Sequence, residues 1–208
     1  MAQHSPVIHL HQGDLPDNVH FTTSIAIDTE AMGLFQHRDR LCLVQLSQGD
    51  GICHLVQINP STFKAPNLVR LLEDPTILKL FHFARFDVAI LYKYLGAVTQ
   101  PVYCTKIASK MTRTFTDRHS LKDLCAEFLG VEISKQSQTS DWGALQLTKE
   151  QMMYAATDVL YLHKLKEHLD KLLAREGRQA LAQACFDFLP ARAQLDLLGF
   201  DQPDIFEH

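Results

Sequence analysis

The order of the predicted elements indicates a mixed α/β fold, in which one sheet is covered by helices. Three apolar segments open the chain after residue 23, and a glycine-containing turn at residues 48–51 separates the second from the third. Strand and helix patterns then alternate to residue 105, and helical patterns fill most of the remainder. Strands with interleaved helices, followed by a run of helices, are typical of a mixed sheet flanked by helices.

Each element follows from its local pattern. Strands are predicted at residues 24–28, 40–47, 51–58, 77–81 and 102–105, which gives a five-stranded sheet. Helices are predicted at residues 66–73, 85–95, 105–113, 119–129, 149–174 and 177–198. The longest helix has a well-defined start, because Thr148 fits an N-cap and Gln151, three residues later, completes a capping box.

Length, charge and cysteine content exclude several classes of protein. A chain of 208 residues with 46% hydrophobic and 21% charged residues is typical of one globular domain. The net charge of -4 argues against a bulk-basic nucleic-acid binder, although a local basic patch can still attract a polyanion. The five cysteines are far apart in sequence, which supports neither a disulfide framework nor a zinc ribbon. No signal pattern and no apolar run of about 18 residues is present, so we expect a cytoplasmic protein without membrane association.

Acidic residues recur at the ends of the predicted strands and on one helix face. Asp28 and Glu30 are two residues apart at the end of an apolar strand, so both side chains leave the same face. Asp87 lies in the first helical turn after the strand at 77–81, where helix capping is an equally good explanation. Tyr154 and Asp158 are four residues apart in the long helix and therefore share a face.

Four carboxylates that converge would need compensating positive charge, because burying uncompensated negative charge is very expensive. Hard divalent cations with oxygen ligands supply that charge, and Mg²⁺ or Mn²⁺ is the natural choice. Two such ions roughly 3.5–4 Å apart are the usual device for phosphodiester cleavage. The acidic pattern therefore predicts a metal-dependent phosphodiesterase.

In order and spacing, these residues resemble the three motifs of the DEDD 3′–5′ exonucleases. The matching residues are Asp28-x-Glu30, Asp87 and Tyr154-x-x-x-Asp158, in which the tyrosine marks the DEDDy branch. Residues 135–142 also resemble a stretch that is typical of the ribonuclease D group. The resemblance implies a ribonuclease H-like fold with a loose lead-in at 1–23, an exonuclease domain at 24–175, and a C-terminal helical extension of that domain at 176–208.

Within this group the chain is most similar to the nanoRNase C family, because only one or two helices follow the motifs. That family likeness implies a 3′–5′ exoribonuclease that degrades short single-stranded RNA, especially dinucleotides, to nucleoside 5′-monophosphates. It also implies a homo-oligomer, namely a ring-shaped octamer. By the same resemblance, Asp28, Glu30, Asp87 and Asp158 hold two divalent cations, and Tyr154 orients the attacking water.

Candidates for substrate contacts are Leu34, His82, Lys106, Arg113, Lys135, Gln138 and Trp142. Residues 104–122 are basic within an acidic chain and can follow phosphates. The family suggests that Leu34 wedges against a base, and Trp142 can stack on one. Ordinary structural explanations, such as a core leucine, a satisfied histidine or a solvated helix face, remain open for these residues.

Two alternatives to a dinucleotide-specific enzyme also remain open. A broader ribonuclease D-like exonuclease, acting on longer RNA or single-stranded DNA, would use identical catalytic residues. A nucleic-acid-binding module that has lost catalysis would have no need for all four acids. Substrate length, the preferred base, the choice between Mg²⁺ and Mn²⁺, and the cellular pathway do not follow from the residues.

Overall fold

The computed structural model describes residues 6–133 and 140–207, and these residues fold around one twisted sheet. The strands are β1 (Val7–Gln12), β2 (Ser24–Ala31), β3 (Leu41–Ser47), β4 (Ile52–Gln57), β5 (Leu78–Phe81) and β6 (Val102–Cys104). Their order in the sheet is β1-β4-β3-β2-β5-β6. Strand β3 is antiparallel to both of its neighbours, β2 and β4, whereas β5 and β6 run parallel to β2, and β1 runs parallel to β4.

The helices are α1 (Pro66–Glu73), α2 (Ala84–Leu95), α3 (Thr105–Thr112), α4 (Leu121–Leu124), α5 (Lys149–Leu160), α6 (Leu162–Arg175) and α7 (Gln179–Leu197). A π-helical turn at Cys125–Leu129 continues α4. The helix predicted at 149–174 is interrupted, because Tyr161 departs from helical geometry with φ -104° and ψ -8° and separates α5 from α6. Among the described residues, no helix combines the length and apolar character that crossing a bilayer requires.

The predicted fold class is confirmed, but the described part of the sheet has six strands instead of the five expected. The additional strand, β1, lies in the segment that was expected to be a loose lead-in, and it pairs with β4 from Val7↔Ile52 to Gln12↔Gln57. Its residues are exposed or only partly buried because β1 is the edge strand. Ile8 and Leu10 alternate with His9 and His11 over four residues only, and this short apolar signal within a polar segment does not by itself distinguish a strand from a loop.

The core lies on both faces of the sheet, and β3 is buried along its full length. Helix α5 packs across β2, β3 and β4, and its small residues Ala155 and Ala156 are fully buried, which allows a close approach to the strands. The predicted capping box fixes the start of this helix: the Gln151 N–H donates to Thr148 Oγ1 over 3.2 Å, and the Thr148 N–H donates to Gln151 Oε1 over 2.8 Å. This packing places the carboxyl-terminal half of α5 above the acidic end of β2.

The C-terminal helix α7 packs against α2 and the sheet edge at β6. Arg85 on α2 donates two hydrogen bonds to the Asp196 carboxylate on α7, over 2.6 and 2.8 Å. Asp196 is almost fully buried and also pairs with Arg192. These contacts attach the C-terminal extension to α2, the helix that carries Asp87 in its first turn.

Candidate active site

Three of the predicted acidic residues converge at one point of the fold. Asp28, Glu30 and Asp158 each place a carboxylate oxygen within 4.8 Å of the others. Asp28 and Glu30 lie on β2, whose pairing with β3 shifts register after Glu30. Asp158 lies on α5, which packs over this part of the sheet. The i and i+2 spacing on a strand and the position on the facing helix are what bring the three oxygens together.

The fourth acid, Asp87, lies in the first turn of α2 and is nearly fully buried. Thr29, between the two acids of β2, donates a 2.6 Å hydrogen bond from Oγ1 to Asp87 Oδ1. Asp87 is outside the cluster of three oxygens within 4.8 Å, but its charge raises the pKa of both Asp28 and Glu30. Thr29 therefore holds Asp87 where its charge acts on the same site.

The carboxylates have raised pKa values because the site is buried and its charges repel one another. Burial raises the pKa of Glu30 to about 9, and the charges of Asp158 and Asp87 contribute to the increase. Burial also raises the pKa of Asp28 well above its usual range, with further increases from Asp87, Asp158 and Glu30. Desolvation raises the pKa of Asp158 and of Asp87 to about 7 each. Without a cation, the site therefore retains protons at neutral pH.

Tyr154 lies one helical turn before Asp158 on α5, next to the acidic cluster. Burial first, and then the charges of Asp158, Glu30 and Asp28, raise the pKa of this phenol above its usual range. Its hydroxyl in turn limits the increase in the pKa of Asp158. Tyr154 is therefore neutral at physiological pH and serves as a hydrogen-bonding group.

Asp28, Glu30 and Asp87 line a cavity of about 520 Å³. The other lining residues are Thr29, Ala31, Met32, Gly33, Leu34, His82, Phe83, Phe86, Ser140 and Trp142. Leu34 is 84% exposed, and together with the exposed side chains of Met32 and Phe83 it forms an apolar patch at this cavity. Volumes of roughly 300–1,000 Å³ are typical of small-molecule sites.

The loop that carries Leu34 is held by Asp39. The Phe35 N–H donates to Asp39 Oδ2 over 3.0 Å, and Arg38 forms an ion pair with the same carboxylate. A Cβ on Gly33 would lie 2.3 Å from Asp39 Oδ2, so this position requires glycine. Asp39 therefore fixes the conformation of the loop, and the Leu34 side chain remains exposed.

Besides Leu34, two other predicted substrate contacts, His82 and Trp142, line the cavity. His82 hydrogen-bonds through Nδ1 to Thr105 Oγ1 at 2.9 Å, and burial lowers its pKa to about 3, so it is neutral. The Trp142 ring is almost fully buried, with its centroid 6.1 Å from that of Tyr154, and its indole Nε1 has no partner. His82 thus offers no positive charge for a phosphate, and Trp142 forms part of the cavity wall.

The remaining predicted contacts lie elsewhere or outside the described residues. Lys106 is not among the residues that line this cavity, although its Nζ lies 4.3 Å from the centroid of the Phe83 ring, which does line it. Arg113 is not brought to the cavity, because its guanidinium is buried and bonds to Glu127 and to the Arg118 carbonyl. Lys135 and Gln138 lie in residues 134–139, outside the described part of the chain.

Sequence reasoning missed several side chains of the site. Thr29 holds Asp87, and Phe83 lines the cavity from the N-cap of α2 with a left-handed φ of 76°. A threonine between two acids and a phenylalanine before a helix carry no distinctive sequence signal. Their roles depend on which elements meet, and that is visible only in the folded chain.

Comparisons with known proteins agree with this geometry. A family model described as 3'-5' exonuclease matches residues 14–174. Proteins named ribonuclease D are 35% identical over 156 residues in Granulibacter bethesdensis and 36% identical over 154 residues in Gluconacetobacter diazotrophicus. The matched part is 75% and 74% of this chain, respectively, but only 39% of each relative, so the chain spans about two fifths of their length.

Solved structures match over nearly the whole chain. Brucella melitensis NrnC bound to pGG is 56% identical with a TM-score of 0.93, covering 98% of this chain and 100% of that one. The same protein with bound Mg²⁺ is 54% identical with a TM-score of 0.92, covering 97% and 99%. Escherichia coli RNase D, described as an exoribonuclease involved in structured RNA processing, is 28% identical with a TM-score of 0.71, covering 83% and 45%.

Proposed function

Because this chain belongs to the 3′–5′ exonuclease family, in its ribonuclease D-like branch near NrnC, we propose that it is a metal-dependent 3′–5′ exoribonuclease. Its preferred substrates are short oligoribonucleotides, above all dinucleotides, and its products are nucleoside 5′-monophosphates. The observation that carries the proposal is the convergence of the Asp28, Glu30 and Asp158 carboxylates within 4.8 Å, beside a cavity that Asp28, Glu30 and Asp87 line.

The acidic residues fit a divalent-metal centre. Hard oxygen ligands suit Mg²⁺ and Mn²⁺, and cations would relieve the repulsion that raises the pKa values of these buried carboxyl groups. Asp28, Glu30, Asp87 and Asp158 would hold two ions, and a solved relative carries Mg²⁺. When bound, such ions lower the pKa of a water molecule and neutralise charge on the leaving oxygen.

The chain itself supplies positioning. Tyr154 remains neutral at physiological pH, so its hydroxyl hydrogen-bonds the attacking water and orients it, without acting as a base. Thr29 donates to Asp87 and fixes that carboxylate at the edge of the site. Trp142 and His82 form the walls that exclude water from the reacting phosphate. In this proposal, activation would come from cations held by the carboxylates, and orientation would come from α5.

The proposed substrate length is supported by the cavity and by the pGG complex of NrnC. Leu34 stands exposed at the cavity, where an apolar side chain can press against a nucleobase. A site of about 520 Å³ suits a small ligand better than a long strand. NrnC, which covers 98% of this chain, was solved with a dinucleotide bound.

The proposal includes a homo-oligomer, with the ring-shaped octamer as its specific form. Apolar side chains remain exposed near the C-terminus, at Leu198, Phe200, Ile205 and Phe206. Such patches often mark contacts between proteins. Light scattering coupled to gel filtration measures the assembly: a mass of eight chains supports the octamer, and a monomer contradicts it.

Chain-length dependence tests the proposed function. Initial rates would be measured on 5′-phosphorylated RNAs from two to about twenty nucleotides, with Mg²⁺ or Mn²⁺ and with a chelator as control. A steep preference for the dimer that chelation abolishes supports the proposal. Comparable rates at every length indicate a general ribonuclease D-like exonuclease. Absence of metal-dependent cleavage at any length leaves only a binding module.

A further inference from the structure

Gln45 on β3 is a buried amide whose hydrogen bonds are unaccounted for. Its side chain has 0% exposure, and neither Nε2 nor Oε1 has a hydrogen-bond partner in the described structure. Most buried polar side-chain atoms in proteins are hydrogen-bonded, so an amide with both ends unpaired requires an explanation. An apolar residue would satisfy this position better if packing were its only role.

The strand register places Gln45 beside the acidic cluster. Gln45 is the direct cross-strand partner of Asp28 in the antiparallel β2–β3 pair. Residues opposite each other in such a pair project from the same face, with Cβ atoms about 4.5–5.5 Å apart. Helix α5, which carries Tyr154 and Asp158, packs across this part of the sheet and covers the face.

The other neighbours of Gln45 leave Asp28 as the natural partner. On the next strand, the register places apolar Leu55 opposite Gln45. Ser47, two residues along β3 on the same face, already donates its hydroxyl to the Ile52 carbonyl over 2.7 Å. The buried residues of α5 that face the sheet are largely apolar, including Ala155, Ala156 and Val159.

We propose that Gln45 is a positioning residue of the metal centre, whose Nε2 donates to the Asp28 carboxylate when that carboxylate binds a divalent cation. Ligating carboxylates are commonly hydrogen-bonded by groups behind them, which fix the orientation of the ligand oxygen. This assignment gives the buried Nε2 donor of Gln45 an acceptor on the residue directly opposite it in the neighbouring strand. This inference rests on the proposed metal-dependent function.

The test replaces the amide with an apolar side chain of similar size, as Gln45→Leu. A packing role alone predicts equal or higher thermal stability without metal, because two unpaired polar atoms are removed, and an unchanged response to metal. The positioning role predicts retained stability, an apparent Kd for Mn²⁺ that is about 10- to 100-fold weaker, and a matching increase in the Mn²⁺ concentration needed for half-maximal cleavage. Calorimetric titration with Mn²⁺ gives the Kd independently of activity.

Thr99→Val is the matched control. Thr99 is also fully buried with an unpaired Oγ1, but it lies in the connection between α2 and β6, away from the acidic cluster. Its loss is expected to leave both Mn²⁺ binding and cleavage within about twofold of wild type. Gln45→Met, which is more flexible, provides the same readout if the leucine variant does not fold.

The outcomes separate this inference from the proposed function. If the wild type binds no Mn²⁺ and shows no metal-dependent cleavage, the proposed function fails. If the wild type responds to Mn²⁺ and the Gln45 variants respond identically, the positioning role is overturned while the proposed function stands. If the Gln45 variants alone lose Mn²⁺ affinity and Thr99→Val does not, the positioning role is supported.

Discussion

Replacing Asp158 with asparagine should stabilise the metal-free protein at alkaline pH while abolishing hydrolysis. Asp158 faces Asp28 and Glu30 across the site, and desolvation raises its pKa from the usual 3.8 to about 7. Since the folded pKa exceeds the unfolded one, the stability from the protonated form is lost as pH rises from about 4 through about 7. Above that range the wild type carries an unfavourable buried charge that the amide does not carry.

The structure sets the size of this effect. Each pKa unit is worth about 1.4 kcal/mol, so the change from 3.8 to about 7 gives a ceiling of about 4 kcal/mol. The Asp158 residue is only partly buried, and solvent screening lowers the expected gain in the free energy of unfolding to about 2 kcal/mol. Removing a group that merely hydrogen-bonds a metal ligand typically lowers activity by about 10- to 100-fold. Because Asp158 is itself a proposed ligand, its loss should lower kcat by at least about 100-fold.

Urea unfolding at pH 8 and at pH 4, with a chelator or with Mg²⁺, measures the predicted stabilisation. The free energy of unfolding of Asp158→Asn should exceed that of the wild type only at pH 8 with the chelator. Mg²⁺ should raise the free energy of unfolding of the wild type but not that of the variant. Asp187→Asn, an exposed substitution on α7, is the matched control and should change the free energy of unfolding by less than about 0.5 kcal/mol. A variant less stable than wild type in the chelator at pH 8 would refute the inference that burial makes the ionised Asp158 carboxylate unfavourable in the metal-free protein.

Three further substitutions address the other parts of the site. Leu34→Ala should raise KM for a dinucleotide about 3- to 10-fold, because an apolar contact with the nucleobase is lost. The urea midpoint should not change, because Leu34 is 84% exposed. An unchanged KM would contradict the proposed contact between Leu34 and a base. Tyr154→Phe should lower kcat about 100-fold and leave the shape of the pH–rate profile below pH 9 unchanged, because the phenol stays neutral. If the wild-type rate rises with pH and the variant loses that rise, Tyr154 would instead be identified as a base. Arg85→Ala should lower the free energy of unfolding by about 2 kcal/mol. The loss is smaller than for a fully buried ion pair because the Arg85 side chain is 40% exposed. Equal urea midpoints for variant and wild type would show that the pair with Asp196 contributes little.

The sheet could be predicted from sequence where strands are apolar and could not where a strand is polar. The segments at 24–28 and 40–47 have buried faces, and their pattern revealed them. β1 is held at the edge by backbone pairing with β4, and its only alternating apolar residues are Ile8 and Leu10, which is a weak signal within a polar segment. Likewise, the break at Tyr161 has no proline or glycine to signal it, so α5 and α6 were predicted as one helix.

The acidic site could be predicted because its spacing is local, whereas the contacts around it are long-range. Asp28 and Glu30 share a face by strand geometry, and Tyr154 shares a helix face with Asp158. Nothing in the local sequence shows that Arg113 pairs with Glu127, or that Thr29 on β2 hydrogen-bonds Asp87 on α2. The same holds for Gln45, whose position opposite Asp28 depends on strand register.

The central claim is that the acidic cluster holds divalent cations. Anomalous scattering from crystals soaked in Mn²⁺ tests it most directly, because it locates the ion without relying on activity. The account predicts Mn²⁺ within coordination distance of Asp28, Glu30 and Asp158, and none at this position in Asp158→Asn crystals that diffract equally well. Well-ordered wild-type crystals without Mn²⁺ at these carboxylates, or with Mn²⁺ only elsewhere, would contradict it.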